Sequence, residues 1–191
     1  MVSIRLCLPG SNNKPKAFLA LALFLFACSS AGPRANSPLE AIEQIRELAG
    51  FPSSTLRYVE TTTRVNSPTG DLQVDLYQDE EGRKFFVEPT TYTVVEIDAR
   101  DTLVYLVAAS NSLALSTAEL ERKAEEFVRS AVPEFSSREN NLSYEAGEKG
   151  DNLFFTWGVA NTEIFFMPPF IQVGLTSRGD LFAFYNTLTI H

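Results

Sequence analysis

Cysteine and histidine are nearly absent from this chain of 191 residues. Cys7 and Cys28 both fall within the first 28 residues, and the one histidine, His191, is the last residue. The body of the chain therefore has no thiol pair for a disulfide or a cysteine metal site. A histidine-based dyad or zinc site is disfavoured too, because chain ends fray. No Gly-x-Ser-x-Gly elbow and no phosphate-cradling glycine loop is present. Beyond residue 28 the lysines are Lys84, Lys123 and Lys149, and none sits beside a diagnostic serine. The expectation is a protein without cofactor, metal or catalytic residues. Long apolar runs are scarce as well. AFLALALFLFA, residues 17–27, is eleven residues long, well short of the ~20 that cross a bilayer as a helix. Positive charge is the third shortage. The net charge is −8, and beyond residue 27 there are 13 basic against 24 acidic residues. So negative a body repels nucleic acid and anionic lipid at long range, and no nucleic-acid partner is expected.

The start of the chain has a definite order. Arg5, Lys14 and Lys16 occur without any acid, the apolar run follows, and Cys28 comes at once. That is the layout of a signal peptide. LFAC, residues 25–28, resembles the lipobox of bacterial lipoproteins. Leu25 leads, Phe26 fills the variable position with more bulk than is usual, Ala27 is small, and Cys28 is the residue that receives lipid. The resemblance implies a signal peptide over 1–27, lipidation of Cys28 and attachment to a bacterial envelope membrane, facing the extracytoplasmic side. Ordinary cleavage near SSA, 29–31, and a retained anchor are the alternatives. Several buried acyl chains hold a protein firmly, at ~0.8 kcal/mol for each methylene. Residues 28–36, rich in Ser, Ala and Gly, read as a flexible tether.

The remainder reads as if written twice. YTVVEIDARDTLVYLVA at 92–108 aligns with FIQVGLTSRGDLFAFYN at 170–186 at an offset of 78. Val95 meets Val173, Ile97 meets Leu175 and Leu103 meets Leu181. Each stretch reads as strand, turn, strand. Gly179 supplies a positive φ in the second turn, where the first has Asp101. Upstream, SPLE at 37–40 and STAE at 116–119 are both Ser-x-x-Glu capping signals. Apolar residues at helical spacing follow each one. Pro38 suits the first helical position, Gly50 and Pro52 close the first helix, and Pro133 closes the second. Cap serine to hairpin is 55 residues in one copy and 54 in the other. The fold class expected is α+β, with two tandem helix-plus-antiparallel-sheet units over 37–113 and 114–191 forming a pseudo-symmetric pair, either through a continuous sheet or as two sheets back to back. A single irregular α+β domain is the alternative.

The hairpins VVEIDARDTLVYL and IQVGLTSRGDLFAF resemble the motif of PepSY domains, apolar-x-apolar-Asp-x-x-x-Gly-x-apolar. The first copy has Asp101 or Thr102 in the glycine position, and the second has Thr176 in the aspartate position. PepSY domains are small α+β modules of peptidase propeptides and envelope proteins. The resemblance implies a non-catalytic module that binds or restrains another envelope protein or a peptidase.

Two clusters of acids have ordinary readings. Asp79, Glu80 and Glu81 before Gly82 lack calcium-loop spacing and read as a hairpin turn. Glu119, Glu121, Glu125 and Glu126 interleave with Arg122, Lys123 and Arg129 on an exposed helix face. The aromatic tract 154–170 is less ordinary. Pro168 and Pro169 cannot sit inside a sheet, so IFFMPP reads as a loop or edge. Trp157, Phe165, Phe166, Met167, Pro168 and Pro169 are the candidate partner-binding residues if this tract is exposed. Folded inward, the same residues would plug the seam between the two units. The functional expectation is a lipid-anchored binding module. A carboxylate-dependent envelope hydrolase and a passive structural lipoprotein are the alternatives.

Overall fold

The helices begin and end where local chemistry dictates. A computed structural model describes residues 35–67, 70–102, 113–160 and 168–188. Helix α1 spans Pro38–Ala49, with Ser37 Oγ accepting from the Glu40 backbone N–H at 3.2 Å. Gly50 ends it in the left-handed region at φ 70°, a conformation that costs glycine little. Helix α2 spans Thr117–Ala131 and opens on a full capping box between Ser116 and Glu119. Such a cap stabilises by ~1 kcal/mol. Leu120, Ala124, Phe127 and Val128 form its buried stripe. A single turn, α3 (Phe135–Arg138), follows and buries Phe135.

Among the described residues eight strands make one antiparallel sheet. They are β1 (Leu56–Ser67), β2 (Gly70–Asp79), β3 (Lys84–Val87), β4 (Val94–Asp98), β5 (Leu142–Lys149), β6 (Asn152–Val159), β7 (Phe170–Thr176) and β8 (Leu181–Asn186). Their order is β1-β2-β3-β4-β8-β7-β6-β5. The β7–β8 turn carries Gly179 at φ 84°, as its sequence predicts.

The expectation of two tandem helix-plus-sheet units, a pseudo-symmetric pair, is not met. Strands β4 and β8 hydrogen-bond to each other through the pairs Glu96–Tyr185, Ile97–Phe184 and Asp98–Ala183. This ladder leaves no boundary between an amino-terminal and a carboxy-terminal sheet. The described residues cluster as one unit. The helices lie over one face, and a single buried cluster joins Ile42 and Ile45 of α1, Phe127 and Val128 of α2, and strand residues from Phe85 to Phe184. Residues 170–186 form the β7–β8 hairpin. Of the aligned stretch 92–108, β4 and a 3-10 turn at Arg100–Thr102 are described, β4 has β8 as a neighbour, and Leu103 with the rest of the second arm lies outside the described residues.

Three strands carry an extra residue. Val59 lies unmatched between the pairs Tyr58–Tyr77 and Glu60–Leu76. Val95 lies between Phe86–Glu96 and Val87–Val94, and Phe182 between Gly174–Ala183 and Leu175–Leu181. Such bulges bend a strand and sharpen its twist.

Candidate functional site

The face of the sheet away from the helices is not a plain solvated surface. Val74, Phe86 and Val95 are buried there at 0%, 5% and 5% exposure, with Leu72 and Leu76 packed against them. β3 explains how. In KFFV, Phe85 and Val87 point to the helices, so Phe86 must point the other way. The bulges add to this face. Val95 joins the Phe86 cluster, and Phe182 packs edge-on to Phe154 at 5.3 Å between centroids. The result is an open trough of about 1070 Å³ lined by residues from β1 to β8.

The strand registers align one side chain from each strand into a row across this face. From edge to edge it reads Glu60, Leu76, Phe86, Glu96, Tyr185, Gln172, Thr156 and Glu145. Gln172 Nε2 donates to Thr156 Oγ1 at 2.9 Å. One step along the strands, Ala183 and Gly174 lie opposite each other. Gly174 is glycine for a visible reason. A Cβ there would lie 2.7 Å from Cζ of Phe182, a ring only 1% exposed. Gly174→Ala is expected to cost ~1–3 kcal/mol through overpacking and to push Phe182 into the trough. Chemical denaturation with a structure of the variant checks both effects.

Arg64 and Glu96 show how strongly the β1–β2 ribbon curls. In a flat sheet, three strand spacings and four residues along the strand would separate their Cα atoms by ~19 Å. Yet Arg64 Nη2 meets Glu96 Oε2 at 2.7 Å. The guanidinium lies 3.8 Å above the Phe86 ring centroid. The ribbon therefore arches over the helix-free face, and its ion pair closes one flank of the trough.

The electrostatics of the trough are uneven. Burial pushes the Glu96 carboxyl above the usual carboxylate range, and Arg64 offsets only part of that. Burial, with the nearby charge of Glu96 adding to it, also raises Tyr185. Asp98 is held low, chiefly by the hydrogen bonds that Arg100 donates from Nε at 2.8 Å and Nη2 at 2.7 Å. Arg100 is raised by the same contact.

Of the aromatic tract 154–170, Phe154 and Phe170 line the trough, but the described candidate partner-binding residues lie elsewhere. Trp157 is 6% exposed on the helix-covered face, 5.6 Å from the Phe135 ring and 5.5 Å from the Tyr144 ring. Pro168 and Pro169 are half-buried, and the Pro169 carbonyl accepts from the Val159 N–H. Phe165, Phe166 and Met167 lie outside the described residues, as do Leu25, Phe26, Ala27 and Cys28. Asp79 and Glu81 do sit at a hairpin turn, where both bind Arg83. Among the described residues no group of His, Cys, Asp and Glu side chains could hold a metal ion. No described helix is long and apolar enough to cross a membrane. Apart from Phe154 and Phe170, the trough residues are not marked as a site by the sequence, although signals exist. KFFV and LFAF lack alternation, which marks strands buried on both faces, and Glu96 interrupts an apolar run.

Fold and site together define an open-faced protein, with helices on one side of a sheet and a ligand-sized trough on the other. Comparison of the chain with known families, characterised proteins and solved structures finds no match. The likenesses to PepSY domains and bacterial lipoproteins rest on the motifs quoted above.

Proposed function

We propose that this protein is a lipid-anchored, extracytoplasmic binding module that acts on an envelope protein or peptidase by docking rather than by turnover. The observation that carries this reading is the 1070 Å³ trough on the helix-free face, with its buried apolar floor and its row of hydrogen-bonding side chains. Concave sites that mix apolar walls with a few placed polar groups are the usual form of binding sites. Anchoring rests on the lipobox resemblance at 25–28, and the Ser-rich tether sets the reach of the body above the membrane.

Filling the trough tests the reading. Gln172 is half-buried at the centre of the polar row. Gln172→Trp is expected to abolish capture of the dominant partner in crosslinking pull-downs from whole cells, with the circular dichroism spectrum unchanged. Unaltered capture would move the binding site away from this face, and capture of no dominant partner by the unmodified protein would favour a passive structural role. Labelling with a palmitate analogue should vanish in Cys28→Ala.

A second reading, a carboxylate-dependent hydrolase, is favoured by one observation. Glu96 and Tyr185 stand side by side in the trough, both shifted towards their uncharged forms. Groups perturbed in this way gather at active sites. Hydrolysis of a peptide or glycan that is lost in Glu96→Gln would establish it.

A further inference from the structure

The trough is electrostatically unlike the chain around it. Its lining holds four basic side chains, Arg64, Lys84, Arg100 and Lys149, against three acidic ones, Glu60, Glu96 and Asp98. The chain as a whole carries −8. An anion therefore meets less repulsion in the trough than the strongly acidic composition of the body would suggest.

Arg64 is the group suited to meet an anion. Its plane is fixed by the Phe86 ring beneath it. One of its five N–H groups is given to Glu96. Its Nε is buried and has no acceptor among the described residues. A buried donor without a partner is costly and calls for an explanation. A planar fork with unused donors on an apolar base suits a carboxylate, which can accept two parallel hydrogen bonds. Glu96 holds the position that a ligand's carboxylate would take. Arg100 is less suitable, because Asp98 already occupies its fork.

The rest of the trough suits an apolar chain. Leu76 and Phe86 form one wall, and Phe154 and Phe182 another, with the small side chain of Ala183 on the floor. The trough crosses an eight-stranded sheet, an arc on the order of 30 Å at the usual strand spacing. Its volume lies at the upper end of small-molecule sites, which are roughly 300–1,000 Å³. The shape is long, with apolar walls and the Arg64 guanidinium at one flank.

We infer that the trough binds a single-chain amphiphile with a carboxylate head, its oxyanion on Arg64 in place of Glu96 and its hydrocarbon chain against Phe154 and Phe182. This deepens the reading of the trough as the binding site and rests on it. Glu96 acts as an internal competitor. It keeps Arg64 partnered while the trough is empty and yields it when the ligand's oxyanion arrives.

The test uses the purified full chain in nanodiscs with two diazirine probes of equal chain length, dodecanoate and dodecyltrimethylammonium. Peptide mapping after irradiation should place the dodecanoate label within residues 70–87 and 170–186, with about tenfold less label there from the ammonium probe. Arg64→Gln should lower dodecanoate labelling about tenfold, and Arg64→Lys, which keeps the charge and drops the fork, by a few-fold. Glu96→Gln should move it the other way and raise it. A variant that merely failed to fold would not produce that rise. Equal labelling by both probes, labelling indifferent to Arg64, or a fall in Glu96→Gln would each overturn the inference. If neither probe labels the trough while Gln172→Trp still abolishes partner capture, the carboxylate ligand is wrong and the binding face stands. If capture also survives Gln172→Trp, both are wrong.

Discussion

Replacing Asp79 with alanine is expected to destabilise the protein by about 3–5 kcal/mol, the usual cost of leaving one member of a buried ion pair behind. Both side chains are withdrawn from water, Asp79 at 0% and Arg83 at 4% exposure. Asp79 accepts from Arg83 Nε at 2.6 Å and from the Arg83 backbone N–H at 2.9 Å. The Arg83 guanidinium also lies 4.6 Å from the Phe51 ring centroid, so it cannot swing out to solvent without giving up that contact. The pair belongs to a chain of polar contacts. Arg83 reaches Glu81, Glu81 accepts from Ser54, and Ser54 accepts from the buried Arg46 of α1. The turn between β2 and β3 is thereby fastened to the end of the first helix. Urea denaturation of Asp79→Ala measures the loss. The double variant Asp79→Leu/Arg83→Met should recover most of it, because apolar replacement of a whole buried pair is often neutral. A loss below ~1 kcal/mol in the single variant would show that Arg83 finds another partner.

Phe184→Ala carries the second large expectation, a loss of ~3–5 kcal/mol and a fall in Tm on the order of 10 °C for a chain of this size. Phe184 is fully buried, 5.2 Å edge-on from Phe127 of α2. It sits in β8, opposite Ile97 of β4 on one side and Val173 of β7 on the other. Its position makes it a test of architecture as well as of packing. With β4 and β8 laddered into one sheet over one core, the variant should unfold in one transition at a lower temperature. Two separated calorimetric transitions would mean that the chain holds two independent cores, contrary to the continuous sheet.

The parts of this fold that were legible in the sequence are those decided within a few residues. Ser37, Pro38 and Gly50 bound the first helix, and Ser116, Glu119 and Pro133 the second, because capping and proline geometry are local. Gly179 marks its turn for the same reason. The β4–β8 pairing was not legible. Glu96 and Tyr185 are far apart in the chain, and nothing in either strand names the other. The similarity of 92–108 to 170–186 instead suggested two equivalent hairpins. It reflects apolar strands that both border the core, and strand composition does not specify a partner. The site was hidden for a related reason. The trough is assembled from single residues on many strands, and the Arg64–Glu96 contact depends on a curl that only the folded ribbon has.

The unmatched residues Val95 and Phe182 decide where this gene can change length. In a strand, losing one matched residue turns everything beyond it over. Val94 and Glu96 already face the consecutive partners Val87 and Phe86, and Leu181 and Ala183 the consecutive partners Leu175 and Gly174. Deleting Val95 would therefore leave a regular ladder, with Glu96 still on the trough face and Ile97 still in the core, at the cost of one side chain and the local bend. Deleting Ile97 would instead swing Asp98 into the oily interior. A codon deletion should therefore survive at Val95 more readily than two positions further along the same strand.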